Sequence, residues 1–123
     1  MIDRDNWRVE IAKRMPRRNG GNFVGEGWKR LVCDLIDMID EVYHLYEIVQ
    51  IKEKGGTLRF YIEELSSRAP DVVYNLIHQA EEASATICEL CGEPGKLAGD
   101  TWKRTLCDPC NEAFVRNRNW RFT

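Results

Sequence analysis

Residues 88–111 read CELCGEPGKLAGDTWKRTLCDPCN and hold four of the five cysteines in this 123-residue chain. They form two CxxC pairs, Cys88/Cys91 and Cys107/Cys110, with 15 residues between the pairs. Two residues between cysteines let one tight turn aim two sulfurs at a single ion, and Zn²⁺ takes four thiolates as a tetrahedron. The spacing is that of a four-cysteine zinc site. Gly92, directly after the first pair, suits the positive φ with which such a turn closes. A site with four cysteine ligands is closed, whereas a catalytic zinc keeps one position for water. One structural Zn²⁺ per chain is therefore expected, its binding energy acting as folding energy.

Between the pairs the chain carries turn material at Gly99–Asp100 and a short strand in TWKRTL, and NEAFVRNRNW after Cys110 is helical in character. CxxC, hairpin, then CxxC opening a helix is the order of a treble-clef finger; a plain zinc ribbon would lack the helix. A helix N-terminus beside Cys107 and Cys110 favours their thiolate forms.

The compartment bears on the same cysteines. The amino terminus, MIDRDNWRVEIAKR, has no apolar core of a secretory leader. No apolar run approaches the roughly 20 residues of a membrane helix. A cytoplasmic location is expected, and there paired cysteines are metal ligands more often than disulfides. A redox CxxC would need only one pair. Cys33, 55 residues before Cys88, reads as a helix packing residue.

Upstream, Trp28, Leu31, Val32, Leu35, Ile36, Ile39, Val42, Tyr43 and Tyr46 recur at helical steps, which predicts an amphipathic helix over residues 28–46. Its other face carries Asp34, Asp37, Asp40 and Glu41, read as a solvated face. In EIVQIKEKGGTLRFYIEEL, Gly55–Gly56 between two alternating runs signals a two-residue hairpin. Its register sets Lys54 opposite Thr57, Glu53 opposite Leu58, Ile51 opposite Phe60 and Val49 opposite Ile62. Lys52 then faces Arg59, a like-charge pair that Glu63, an acidic partner or a partner's phosphate would relieve. Pro70 opens a second amphipathic helix carried by Val72, Val73, Leu76, Ile77, Ala80 and Ala83. His44 and His78 read as surface or packing residues on the two helices. A short helix with Trp7, Ile11 and Met15, stopped by Pro16, precedes a basic turn around Arg17–Arg18. The glycines of FVGEGW match no phosphate-binding loop.

The fold class expected is α+β: two amphipathic helices packed on a β-hairpin, with a C-terminal four-cysteine zinc finger of treble-clef or zinc-ribbon type. Residues 1–27 form a basic N-terminal arm, 28–84 the helix-hairpin-helix core, and 85–123 the zinc module with its basic aromatic tail. A two-stranded sheet is marginal alone, so its open edge is expected to pair with the finger's hairpin or with a second copy.

MPRR, FVGEGW, LVCDLI, VQIKEKGGTLRFYI and AEEASATICELCGEPGKL…WKRTLCDPC together resemble a family of small, largely uncharacterised proteins encoded by bacteriophages and prophages. The resemblance spans nearly the whole chain. It implies a zinc module and a phage origin, hence the cytoplasm of a bacterial host; it supplies no agreed activity, and no catalytic residues carry over.

Charge is uneven. Residues 1–30 carry eight basic and four acidic residues, 31–85 four and eleven, and 86–123 six and five, within an overall charge of −2. An acidic chain is a poor general nucleic-acid binder. With no catalytic constellation, a non-enzymatic protein that engages a host protein is the leading expectation, as adaptor or as inhibitor, for instance of host defence. A nucleic-acid-binding finger is the alternative. The candidate partner residues are Arg17 and Arg18, supported by Lys13 and Arg14; Lys52, Arg59 and Tyr61 on the hairpin; and the tail's Trp102, Lys103, Arg104, Arg116, Arg118, Trp120 and Arg121. Arginines interleaved with aromatics can hold phosphates and stack on bases. The chain is expected to be a monomer or a homodimer, without membrane contact.

Overall fold

The structure, a computed structural model, describes residues 1–15, 22–99 and 102–121, with only the backbone described for 22, 23 and 117–121. It is α+β. In order come α1 (Trp7–Lys13), β1 (Asn22–Phe23), a 3₁₀ turn (Glu26–Trp28), α2 (Lys29–Val42), β2 (Tyr46–Lys54), β3 (Thr57–Glu64), α3 (Asp71–Ser84), β4 (Lys96–Ala98), β5 (Arg104–Leu106) and α4 (Asp108–Arg121). No helix among the described residues is long and apolar enough to cross a membrane.

The hairpin turns where its glycines predict. Gly55 and Gly56 both have positive φ, +61° and +89°, as a tight two-residue turn needs. Lys54 pairs with Thr57, and the predicted register holds through Ile51–Phe60 and Gln50–Tyr61. Then it shifts: Val49 bulges, and Ile48, not Val49, faces Ile62. Without the bulge, alternation would turn Glu47 toward the helices and Ile48 away from them. With it, Ile48 and Ile51 are both buried. Lys52 does face Arg59. Their cations diverge, Lys52 Nζ lying 5.8 Å from the Tyr61 ring centre while the Arg59 guanidinium donates to Thr57 Oγ1 at 3.0 Å.

Both edges of the hairpin are closed within the chain. β1 lies parallel to β2, pairing Asn22 with Ile51 and Phe23 with Lys52. On the other side α3 closes the edge with side chains. The Leu58 N–H donates to Ser84 Oγ at 2.9 Å and the Phe60 N–H to Glu81 Oε2 at 3.1 Å. The neighbours at these edges are thus β1 and α3, not the finger's hairpin.

The helix read over 28–46 stops at Val42, because Tyr43 turns extended (φ −158°, ψ 133°) and its hydroxyl donates to the Ser67 carbonyl at 2.6 Å. Tyr46 is the first residue of β2, and His44 lies in the connection, not on the helix. α2 packs on α3 and α3 on β3. Val32, Leu35, Ile36 and Ile39 meet Ile48, Ile51, Leu58, Phe60, Val73 and Ile77 in one core. Buried Cys33 belongs to it, as read.

The N-terminal segment is not an arm. Ile2, Trp7, Ile11, Met15 and Val24 are all core residues. Nor is the acidic face of α2 merely solvated. Arg4 bonds Asp34 and Asp37 at 2.7 and 3.0 Å, and the Ile2 N–H donates to Asp37 at 2.8 Å. Arg14 bonds Asp40 at 2.7 Å, beside the Tyr46 hydroxyl on the same carboxylate. The positive N-terminal segment and the negative α2 thus neutralise each other in part.

Candidate metal centre

Cys88 and Cys91 sit in a turn closed by the Gly92 N–H bonding the Cys88 carbonyl at 2.9 Å, with Gly92 at φ +85°. The Cys88 N–H bonds the Glu93 carbonyl at 2.8 Å, and an isolated bridge joins Ile87 to Pro94. β4 and β5 form the expected hairpin, with Leu97 opposite Thr105. Cys107 follows β5 directly, and Cys110 stands in the first turn of α4. Pro109, which has no N–H to leave unbonded, fits that turn.

The four sulfurs lie within 4.8 Å of one another and can hold a metal ion. Cys91 and Cys107 Sγ are 3.6 Å apart. Four sulfurs each about 2.3 Å from a metal define a tetrahedron with edges of about 3.8 Å, whereas a disulfide needs about 2.05 Å. All five cysteines are unbridged. Cys88 is buried and Cys91 exposed.

The backbone prepares the site for thiolates unequally. Burial pushes the Cys88 thiol up, but the backbone N–H groups of Cys107, Cys91 and Leu90 outweigh it and bring it down to about 6. Cys110 goes the other way. Its hydrogen bond to Cys107, then burial and the other sulfurs, push it up to about 12. Four anions at this spacing repel one another, and a divalent cation relieves that repulsion.

One residue that sequence reading missed lies between Cys88 and Cys91. Glu89 is buried, and its carboxylate bonds Arg104 and the Gly25 N–H, each at 3.1 Å. Burial raises its pKa, against Arg104 and the Gly25 N–H. Its carbonyl accepts from the Gly27 N–H at 2.7 Å, and its own N–H donates to the Thr105 carbonyl at 3.0 Å. Thr105 Oγ1 in turn donates to the Gly56 carbonyl at 2.7 Å, reaching the hairpin turn. The Trp28 indole N–H donates to the Ile87 carbonyl at 2.9 Å. These bonds seat the cysteine module on the 3₁₀ turn and the hairpin tip. The glycines of FVGEGW have their explanation here: a Cβ on Gly27 would collide with the Cys88 carbonyl, and one on Gly25 with that of Glu89. No local pattern announces Glu89; an acid inside a CxxC turn reads as exposed until its partners are known.

The partner candidates separate. Arg104 is not a surface residue: besides bonding Glu89 it lies over Phe114, 5.1 Å from the ring centre, and its Nε is buried without a hydrogen-bond partner. Arg14 is committed to Asp40. Trp102 is 62% exposed, and Lys103 and Arg116 are exposed too. Tyr61 is exposed and Lys52 and Arg59 half-buried. Arg17 and Arg18, and the side chains of Arg118, Trp120 and Arg121, lie outside the described residues. Compared with known proteins, the chain matches no family model, no curated protein and no solved structure.

Proposed function

We propose that this chain is a non-enzymatic, zinc-stabilised binding protein of phage type that engages a host protein in the bacterial cytoplasm, as adaptor or inhibitor. The observation that carries the zinc is the closed set of four sulfurs. Tetrahedral sulfur suits zinc or an iron–sulfur centre, and two CxxC turns around sulfurs 3.6 Å apart suit a single zinc ion. The order of cysteine turn, hairpin and helix opening on the second pair is that of a treble-clef finger. All four positions are then protein ligands, so the ion serves folding.

The partner surface in this reading is the β4–β5 tip. Trp102 and Leu97 are exposed large hydrophobics beside exposed Lys103, an aromatic anchor with a cation of the kind enriched where proteins bind proteins. Purification from the bacterium without added metal tests both parts. The expected result is one zinc per chain and one stoichiometric host protein, lost in Trp102→Ala. Iron or no metal overturns the zinc; co-purifying nucleic acid released by high salt moves the function to the finger's alternative role.

A further inference from the structure

The sheet face turned away from α2 and α3 carries an ordered charge pattern. Along β3, Arg59, Tyr61 and Glu63 point to it in turn, and their partners on β2 are Lys52, Gln50 and Glu47. A cationic pair, a neutral pair and an anionic pair therefore succeed one another. Arg59 and Glu63 stand four residues apart, about 13 Å along the strand. The Val49 bulge is what brings Glu47 to this face opposite Glu63. Like charges directly opposed are unfavourable in a sheet, and this face holds two such pairs of opposite sign. Glu63 also has a contact of its own within the chain.

We propose that this face is the contact surface of a homodimer, in which two sheets stack about a two-fold axis lying between them and perpendicular to the strands. That axis places Lys52 and Arg59 of each copy over Glu47 and Glu63 of the other. An axis parallel to the strands would set cation on cation. Tyr61, 41% exposed, stands midway between the charged pairs and next to the axis, where its ring supplies the apolar centre. Stacked sheets lie about 10 Å apart, a gap that long charged side chains bridge. The contact is self-complementary, as a two-fold interface requires. The face is small, so the association is a weak one, and its charges make it salt-sensitive.

Sedimentation of the metal-loaded full chain tests this. The wild type should associate toward twice 14.4 kDa at ~50 mM salt, and at least tenfold less tightly at ~500 mM. Lys52→Glu with Arg59→Glu makes the face wholly acidic, and Glu47→Lys with Glu63→Lys makes it wholly basic. Each double variant alone should be monomeric, and an equimolar mixture of the two should restore a dimer. Circular dichroism and metal content check that both are folded; Glu47→Gln with Glu63→Gln, a milder change, should weaken the dimer without abolishing folding. A wild type monomeric at ~0.5 mM in low salt, far above a micromolar constant, would overturn the proposal. So would a dimer indifferent to both charge reversals, or a mixture that stays monomeric.

Discussion

The indole N–H of Trp28 donates to the Ile87 carbonyl, 2.9 Å away, from a side chain with no solvent exposure. Trp28 thus belongs to the core through its ring and to the cysteine module through one hydrogen bond. Trp28→Phe keeps most of the ring and leaves the carbonyl unbonded, a cost of about 1–3 kcal/mol. Trp28→Ala also opens a cavity and should cost about 3–5 kcal/mol. Urea unfolding of both variants checks the order; a Trp28→Phe chain as stable as the wild type would mean that the bond contributes nothing.

Gly27 and Gly55 predict opposite reasons for the same kind of loss. A Cβ on Gly27 meets the backbone of Cys88 and Glu89, so Gly27→Ala should displace the cysteine turn. Faster transfer of metal to a competing chelator is the readout. Gly55 has φ +61° and open space around it. Gly55→Ala should cost only the left-handed strain of about 1–2 kcal/mol, with metal transfer unchanged.

Glu89 and Arg104 make a pair whose loss should be felt at the metal and in stability. Glu89 is 4% and Arg104 27% exposed at the side chain. Breaking a fully buried pair costs about 3–5 kcal/mol, and partial exposure of Arg104 reduces that to about 2–3 kcal/mol for Glu89→Ala. Arg104→Ala should be comparably damaging, because it strands the buried carboxylate. If Arg104→Ala were silent in thermal unfolding, the pair would not hold the module.

The Cys33 thiol is pushed up to about 11, first by burial, with Arg4 and Lys29 pulling it down and Asp37 and Asp34 pushing it up. Its folded value lies above the ~8.5 of a free thiol. The unfolded chain therefore ionises first. The contribution of Cys33 to stability is fully present below pH ~8.5 and is lost as pH rises toward 11. Cys33→Ala should flatten that alkaline decline relative to wild type. An identical slope in both would place the decline at other groups.

Local pattern was enough for much of this protein. The two CxxC turns, the two-residue turn at Gly55–Gly56, and the apolar faces of α2 and α3 all follow from spacings of a few residues, which set side-chain direction directly. Only the tertiary structure decided what those pieces do to one another. Gly25 meets Glu89 across 64 positions of sequence, and Arg4 meets Asp37 across 33. No periodicity spans such distances, so Glu89 looked like an ordinary acid, Arg104 like a surface cation and the acidic face of α2 like a solvated one. The bulge at Val49 belongs here too. Strict alternation would have turned Glu47 toward the core, and the burial of Ile48 beneath the helices decided the register instead.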